Sequence, residues 1–148
     1  MKLKGNSGIG LTDAIIAISI FVIFSAVIIS ISYNIYIQSN FVKRNNTATN
    51  YIVNLFEYAK AQNIEEVNNN LLSEYATVNF GDNINITNIE PEQNSINYGY
   101  TIFILVNDMH NDNLVEYDEN IVKQISITVY YKLGGKVKNT SMSTLISK

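Results

Sequence analysis

Few side chains in this 148-residue sequence have types and spacings that support chemistry. There is no cysteine and only one histidine, which excludes a thiol nucleophile, a Cys-based zinc or iron–sulfur centre and any site with two imidazoles. The adjacent acids Glu65–Glu66 and Asp118–Glu119 lie on polar segments, where nothing indicates the cleft that an acid/base pair needs. The sequence therefore does not indicate an enzyme, and no cofactor is expected.

An acidic segment, DMHNDNLVEYDE, spans residues 108–119. Its acids fall at positions 1, 5, 9 and 12 of a calcium-binding EF-hand loop, which makes it a candidate calcium loop with ligands Asp108, Asp112, Glu116 and Glu119. Against that reading, His110 takes the third position, and Asn113 replaces the glycine that makes the sharp turn. We interpret the segment as a solvated acidic loop between strands and predict no metal site.

Asp13 is an isolated carboxylate at the start of a long uncharged run. Lys2 and Lys4 form a short basic leader that ends at Gly8, Asp13 follows five residues later, and residues 14–42 carry no charge. An ionised carboxylate at a membrane edge is costly unless it is paired. A simple signal anchor, which needs only the flanking lysines, gives no reason for Asp13.

The element that positions Asp13 is a long helix. The run Ala14–Ile37 would reach about 36 Å as a helix, against about 30 Å of bilayer hydrocarbon, whereas the apolar core of a cleavable signal peptide is only about 7–15 residues. No proline interrupts residues 9–62. We expect one helix, with a transmembrane part at 9–40 and an amphipathic part at 41–62.

The amphipathic part has an apolar stripe of the kind that packs on a sheet, formed by Ala48, Ile52, Leu55 and Ala59. Within the membrane run, Ala26 and Ser30 form a small-xxx-small pair suited to close helix contact, with chance placement of small residues as the alternative.

Beyond residue 62 the pattern changes. A short helical turn is predicted in 63–73, and a period of two follows over about 77–147. The predicted strands are Thr77–Phe80, Ile84–Ile89, Tyr98–Val106, Val122–Leu133 and Val137–Ile146, with a Gly134–Gly135 hairpin turn between the last two. The fold class is therefore α+β, a long helix packed on a small antiparallel sheet.

The formal charge is −3, but residues 63–148 carry five lysines against eleven acids. Nucleic-acid binding draws on clustered basic residues. We therefore expect no nucleic-acid partner.

The front of the chain resembles the type IV pilin and type II secretion pseudopilin family, through Lys2, Lys4, Gly8, Ile9 and Asp13. The resemblance implies that a prepilin peptidase removes residues 1–8 by cutting between Gly8 and Ile9 and then N-methylates Ile9. It implies that Asp13 neutralises the amino terminus of a neighbouring subunit, and that other pilins are partners through the N-terminal helix. The family usually has Glu where this chain has the shorter Asp13.

The resemblance also implies a topology. Residues 41–148 would form a pilin-like domain outside the cytoplasmic membrane, with the N-terminus inside, and the subunit would then enter a surface or envelope-spanning fibre. The C-terminal segment, KQISITVYYKLGGKVKNTSMSTLIS, is similar to the closing hairpin of a minor group that includes the I-subunit of type II secretion and PilV-like pilins, which belong to tip or priming complexes. A standalone signal-anchored binding or accessory domain and a pseudopilin of a DNA-uptake machine remain alternatives.

Overall fold

The computed structural model describes residues 7–92, 95–96, 99–109 and 122–147. The chain divides into two compact units, Met1–Ser39 and Asn40–Lys148. The described elements are, in chain order, α1 (Ser7–Ala61), α2 (Asn69–Phe80), β1 (Ile84–Thr87), β2 (Tyr100–Met109), β3 (Val122–Leu133) and β4 (Lys136–Ser147). A long N-terminal helix packed on a small sheet confirms the predicted α+β fold class, and the arrangement is consistent with a pilin-like fold.

Helix α1 is unbroken over its 55 residues. Its sequence contains no proline, and Gly10 is the only glycine after Gly8, so no helix-breaking residue interrupts it. The apolar stripe of its second part is buried as predicted, because each of its four residues is at most 1% exposed: Ala48, Ile52, Leu55 and Ala59.

Helix α2 corrects the sequence prediction for this region. The Asn68 side chain caps its N-terminus by accepting a hydrogen bond from the Leu71 amide at 2.9 Å. The helix then continues to Phe80, so the predicted strand Thr77–Phe80 is wrong. Leu72 and Ala76 bury one helical face four residues apart, and that burial outweighs the strand preference of a short β-branched stretch.

The sheet has the order β1-β2-β3-β4. Strands β2, β3 and β4 pair antiparallel, as predicted, but β1 pairs parallel to β2, with Ile84 opposite Tyr100. The sheet is therefore mixed. Residues 88–99 connect the two parallel strands, which is enough chain for the crossover that parallel pairing requires.

A glycine is needed where this crossover ends. Gly99 has φ +112°, and a Cβ there would clash with the Asn83 carbonyl. That carbonyl accepts a hydrogen bond from the Tyr100 amide at 3.1 Å. The close backbone approach positions β2 beside β1.

The β3–β4 hairpin has the predicted two-residue turn. Gly134 and Gly135 have φ angles of 56° and 78°, the positive values that such a turn requires. The register continues without interruption from Leu133 opposite Lys136 to Val122 opposite Ser147.

One hydrophobic core joins α2, the second part of α1 and one face of the sheet. The sheet contributes Ile102, Ile104, Ile125, Ile127, Val129, Tyr131 and Ile146. Aromatic rings border this core: Tyr51 of α1 lies 4.6 Å from Phe80 and 5.4 Å from Tyr100 between ring centroids, and Tyr58 stacks on Tyr75 at 3.9 Å. The two helices and β2 are thereby packed together.

The buried stripe generates a prediction for stability. Leu55→Ala should lower the free energy of unfolding by about 2–5 kcal/mol, because it removes a fully buried side chain and leaves a cavity. Val53 is 39% exposed on the same helix, so Val53→Ala is the matched control and should change stability by less than about 0.5 kcal/mol. Urea unfolding of the full chain in detergent, followed by near-UV circular dichroism of the tyrosines, measures both. Equal effects of the two substitutions would contradict the packing described.

Candidate membrane and assembly segment

The first part of α1 exposes apolar side chains on every side. Leu11, Phe21 and Ile29 are 66%, 72% and 68% exposed, and the most apolar 18-residue window has a mean hydropathy of 2.9 with none of its residues buried. Soluble monomers rarely expose a continuous apolar surface of this size. Within the described part of the chain, α1 is long enough and apolar enough to cross a membrane, so it can serve as a membrane anchor.

One polar side chain of this segment, Ser19, is paired within the helix. The Ser19 hydroxyl donates a hydrogen bond to the Ile15 carbonyl, four residues earlier, at 2.8 Å. Backbone groups inside a helix are already paired, and this bond also pairs the serine hydroxyl. Ser19 therefore adds no unsatisfied donor to the segment. Lys43 and Arg44 are the first charged residues after Asp13, so they mark the end of the uncharged stretch.

Asp13 lies within α1 and is exposed. Gly8 and Ile9 also belong to α1, although only their backbone is described. Ile9 and Asp13 are four residues apart, so they lie on the same side of the helix with a rise of about 6 Å between them.

Ala26 and Ser30 are both exposed on α1, four residues apart on one face. Their positions allow another helix to approach closely. Their role in helix packing stays a prediction.

The candidate calcium loop falls mostly outside the described residues. Asp112, Glu116 and Glu119 are not described, and Asp108 lies near the end of β2. The Asp108 carboxylate is 3.4 Å from the Lys123 ammonium. Within the described ranges, no group of three or more His, Cys, Asp or Glu residues is arranged to hold a metal ion.

Lys123 is a buried charged residue that the sequence prediction missed. Lys123 is 7% exposed, and its ammonium donates to the Val67 carbonyl at 2.8 Å and to the Glu65 carbonyl at 3.4 Å. The buried ammonium therefore has two carbonyl acceptors, and the Asp108 carboxylate at its side supplies the opposite charge. It therefore holds the α1–α2 connection against β3. The alternation of β3 places Lys123 in phase with the buried Ile125 and Ile127, but it does not indicate the oxygen partners that allow an ammonium to be buried there.

Two asparagines were also missed. Asn45 Oδ1 accepts hydrogen bonds from the Thr140 hydroxyl at 2.6 Å and from the Tyr131 hydroxyl at 3.4 Å, which joins α1 to β3 and β4. Asn69 Oδ1 accepts from the Val106 amide at 2.8 Å, which joins α2 to β2. Asn45 is three residues before Ala48, in line with the buried stripe, so its position could have indicated contact with the sheet.

Two tyrosines have a raised pKa. Burial raises the pKa of Tyr51, and the nearby Tyr100 hydroxyl adds to the effect. Burial also raises the pKa of Tyr130, together with the Glu90 carboxylate, which accepts its hydrogen bond at 3.3 Å. Both stay protonated at neutral pH, so Tyr51 acts as a packing group and Tyr130 as a hydrogen-bond donor.

No protein-family model, curated protein or solved structure matches this chain.

The exposed apolar helix generates a prediction for membrane association. Ile23→Asp with Val27→Asp should release the full chain from membranes, because each central Asp disfavours insertion by about 2.5–3.5 kcal/mol. The matched control, Val53→Asp with Asn54→Asp, adds the same charge to exposed positions of the same helix. Carbonate-washed membranes should retain the wild type and the control and lose the first variant. Retention of all three would show that residues 14–37 do not anchor the chain.

Proposed function

We propose that this chain is a minor pilin or pseudopilin, a structural subunit of a type IV pilus or of a type II secretion-like fibre. The observation that carries the proposal is helix α1, because one unbroken helix is apolar on all sides in its first part and buries a stripe on a sheet in its second. A fibre subunit that is held in a membrane before assembly needs such a division, because its helix must first face lipid and then pack against other helices.

The N-terminal residues support the same proposal. A basic leader ends at Gly8, and a carboxylate follows five residues later, where the resemblance to pilins places the acid that meets a neighbour's amino group. Inside a core of packed helices the effective dielectric is low, so an amine and a carboxylate attract more strongly than in water. Asp13 would therefore favour one register between neighbouring helices, since an unpaired charge there is costly.

The proposed partners are a prepilin peptidase, the cytoplasmic membrane and other pilins. The N-terminus would lie inside the cell and residues 41–148 outside, before the subunit enters a fibre. A place in a tip or priming complex is proposed from the C-terminal hairpin pattern. A standalone signal-anchored domain would also use an apolar helix, but it would keep its leader.

Leader removal distinguishes a pilin from a standalone signal-anchored domain. The mature chain, isolated from its native host and analysed by mass spectrometry of its N-terminal peptide, should begin at N-methylated Ile9. Gly8→Ala is the matched variant, because the peptidase is expected to require this glycine, and it should leave the leader uncut. A wild-type chain that still begins at Met1 would contradict the proposal.

Asp13 generates a second prediction. Asp13→Ala should leave leader cleavage largely intact while reducing incorporation into sheared fibres several-fold, because the amine of the neighbouring subunit loses its counter-charge. Asp13→Glu keeps the charge and is the control that should still be incorporated. Immunoblots of the sheared and cellular fractions measure both steps. Equal incorporation of the Ala variant would remove Asp13 from the assembly mechanism.

A further inference from the structure

Strand β4 and the second part of α1 run in the same direction. Near the start of both, Asn45 accepts a hydrogen bond from the Thr140 hydroxyl at 2.6 Å. Near the end of both, Ala59 and Ile146 line the same cavity. The helix advances about 21 Å between its two contact residues and the strand about 20 Å between its own, so the two elements lie nearly parallel.

The β3–β4 hairpin therefore points toward the apolar part of α1. From Thr140 back to Lys136 the strand covers about 13 Å, whereas α1 covers about 7.5 Å from Asn45 back to residue 40, the first residue of the unit that holds the sheet. The Gly134–Gly135 turn lies further in the same direction. The hairpin thus extends past the point at which α1 enters this unit.

This end of the sheet carries a cluster of cations. Residues 63–148 have only five lysines, and three of them fall within the seven residues of the hairpin: Lys132, Lys136 and Lys138. On α1, Lys43 and Arg44 directly precede Asn45 and are the first charges after the uncharged stretch. We call these five cations the basic end.

The opposite end of the sheet is acidic. Lys123 pairs with Ile146 and therefore marks that end of β3 and β4. The Asp108 carboxylate contacts the Lys123 ammonium, and the Glu65 carbonyl accepts a hydrogen bond from it, so both acids lie there. The charges of this unit are thus divided, with cations toward the apolar part of α1 and acids away from it.

Two acids lie at the level of the basic end. Glu90 accepts a hydrogen bond from Tyr130, next to Lys132 in sequence but one residue apart in the strand. Asp82 precedes β1, at the other edge of the sheet, so about three strand spacings or 14 Å separate it from β4, more than the Debye length of about 8–10 Å. Five cations against these two acids leave the basic end positive.

We propose that the basic end binds the anionic headgroups of the membrane in which α1 is anchored. Lys43 and Arg44 follow the apolar stretch directly, so they lie at headgroup level, and the hairpin reaches the same level. Each Lys or Arg near an anionic membrane surface strengthens binding about fivefold. The unit that holds the sheet is then attached at two points, α1 and the hairpin, which limits its rotation about the helix.

Lipid is the partner that suits this end because the membrane is adjacent to it in every anchored chain. All copies in one membrane keep their α1 helices parallel, as a later bundle of like helices requires. The attachment is electrostatic and screened by salt, so it is reversible and lets the chain leave the membrane. It rests on α1 as an anchor and not on leader cleavage or fibre assembly, so the unprocessed full chain can be tested.

The absence of cysteine allows one fluorescent label to report on the hairpin. Val137→Cys carries the label, and the full chain is reconstituted in vesicles of phosphatidylcholine or of equal parts phosphatidylcholine and phosphatidylglycerol. Quenching by lipids with a spin-labelled headgroup should be at least about threefold stronger in the anionic vesicles and should fall to the neutral level at high salt. Asn70→Cys, exposed near Lys123 at the acidic end, is the control position and should show little quenching in either.

Two matched variants on the Val137→Cys background test the role of charge. Lys132→Gln with Lys136→Gln and Lys138→Gln removes three charges, and should reduce quenching in anionic vesicles to the neutral level. The corresponding triple Lys→Arg variant keeps the charges and should retain the quenching. Vesicle flotation verifies that each variant is reconstituted.

Three results would overturn the proposal. The first is equal quenching of the Gln and Arg variants, and the second is equal quenching of Val137→Cys in neutral and anionic vesicles. The third is a wild-type chain that does not float with vesicles, since it then has no membrane beside the hairpin. A label response that depends on the number of chains per vesicle and not on anionic lipid would assign the basic end to an acidic surface of another copy, and would also overturn it.

Discussion

The burial of one helical stripe against one face of the sheet is the interaction on which the described β region depends. A single sheet of four strands has an apolar face that must be covered, and here α2 and the second part of α1 cover it. Ile52 and Leu55 are fully buried in this contact. Ala48 and Ala59 flank them as small residues, which lets the helix backbone approach the strands. Without that stripe, β2 and β3 would leave part of their row of isoleucines in water.

Polar contacts define how the helices lie on the strands, which hydrophobic burial alone does not specify. Hydrophobic burial is non-directional, whereas a hydrogen bond to a buried group requires one geometry. Asn45 joins α1 to β3 and β4, Asn69 joins α2 to β2, and Lys123 joins β3 to the connection between the helices. Each of these contacts crosses between elements far apart in sequence. Together they specify which part of each helix lies over which strand.

The two parts of α1 meet different physical requirements. In its second part the residues off the buried stripe are largely polar, so water surrounds them at little cost. In its first part every side is apolar, and only lipid or other helices can cover it favourably. A chain with this division has two stable situations, in a membrane and in a bundle of like helices. The proposed role of Asp13 belongs to the second, where an amine can neutralise it.

The sequence by itself determined the features that depend on local periodicity. The unbroken helix, its buried stripe, the Gly134–Gly135 hairpin and most of β2, β3 and β4 follow from repeats of 3.6 and 2 residues and from the absence of breakers. Only the tertiary structure decided that residues 77–80 are helical, that β1 runs parallel to β2, and that Lys123 is buried. The physical reason is common to all three. Each outcome depends on a partner distant in the chain, whether a facing core, a neighbouring strand or the carbonyl and carboxylate oxygens around Lys123, and local preference carries no information about that partner.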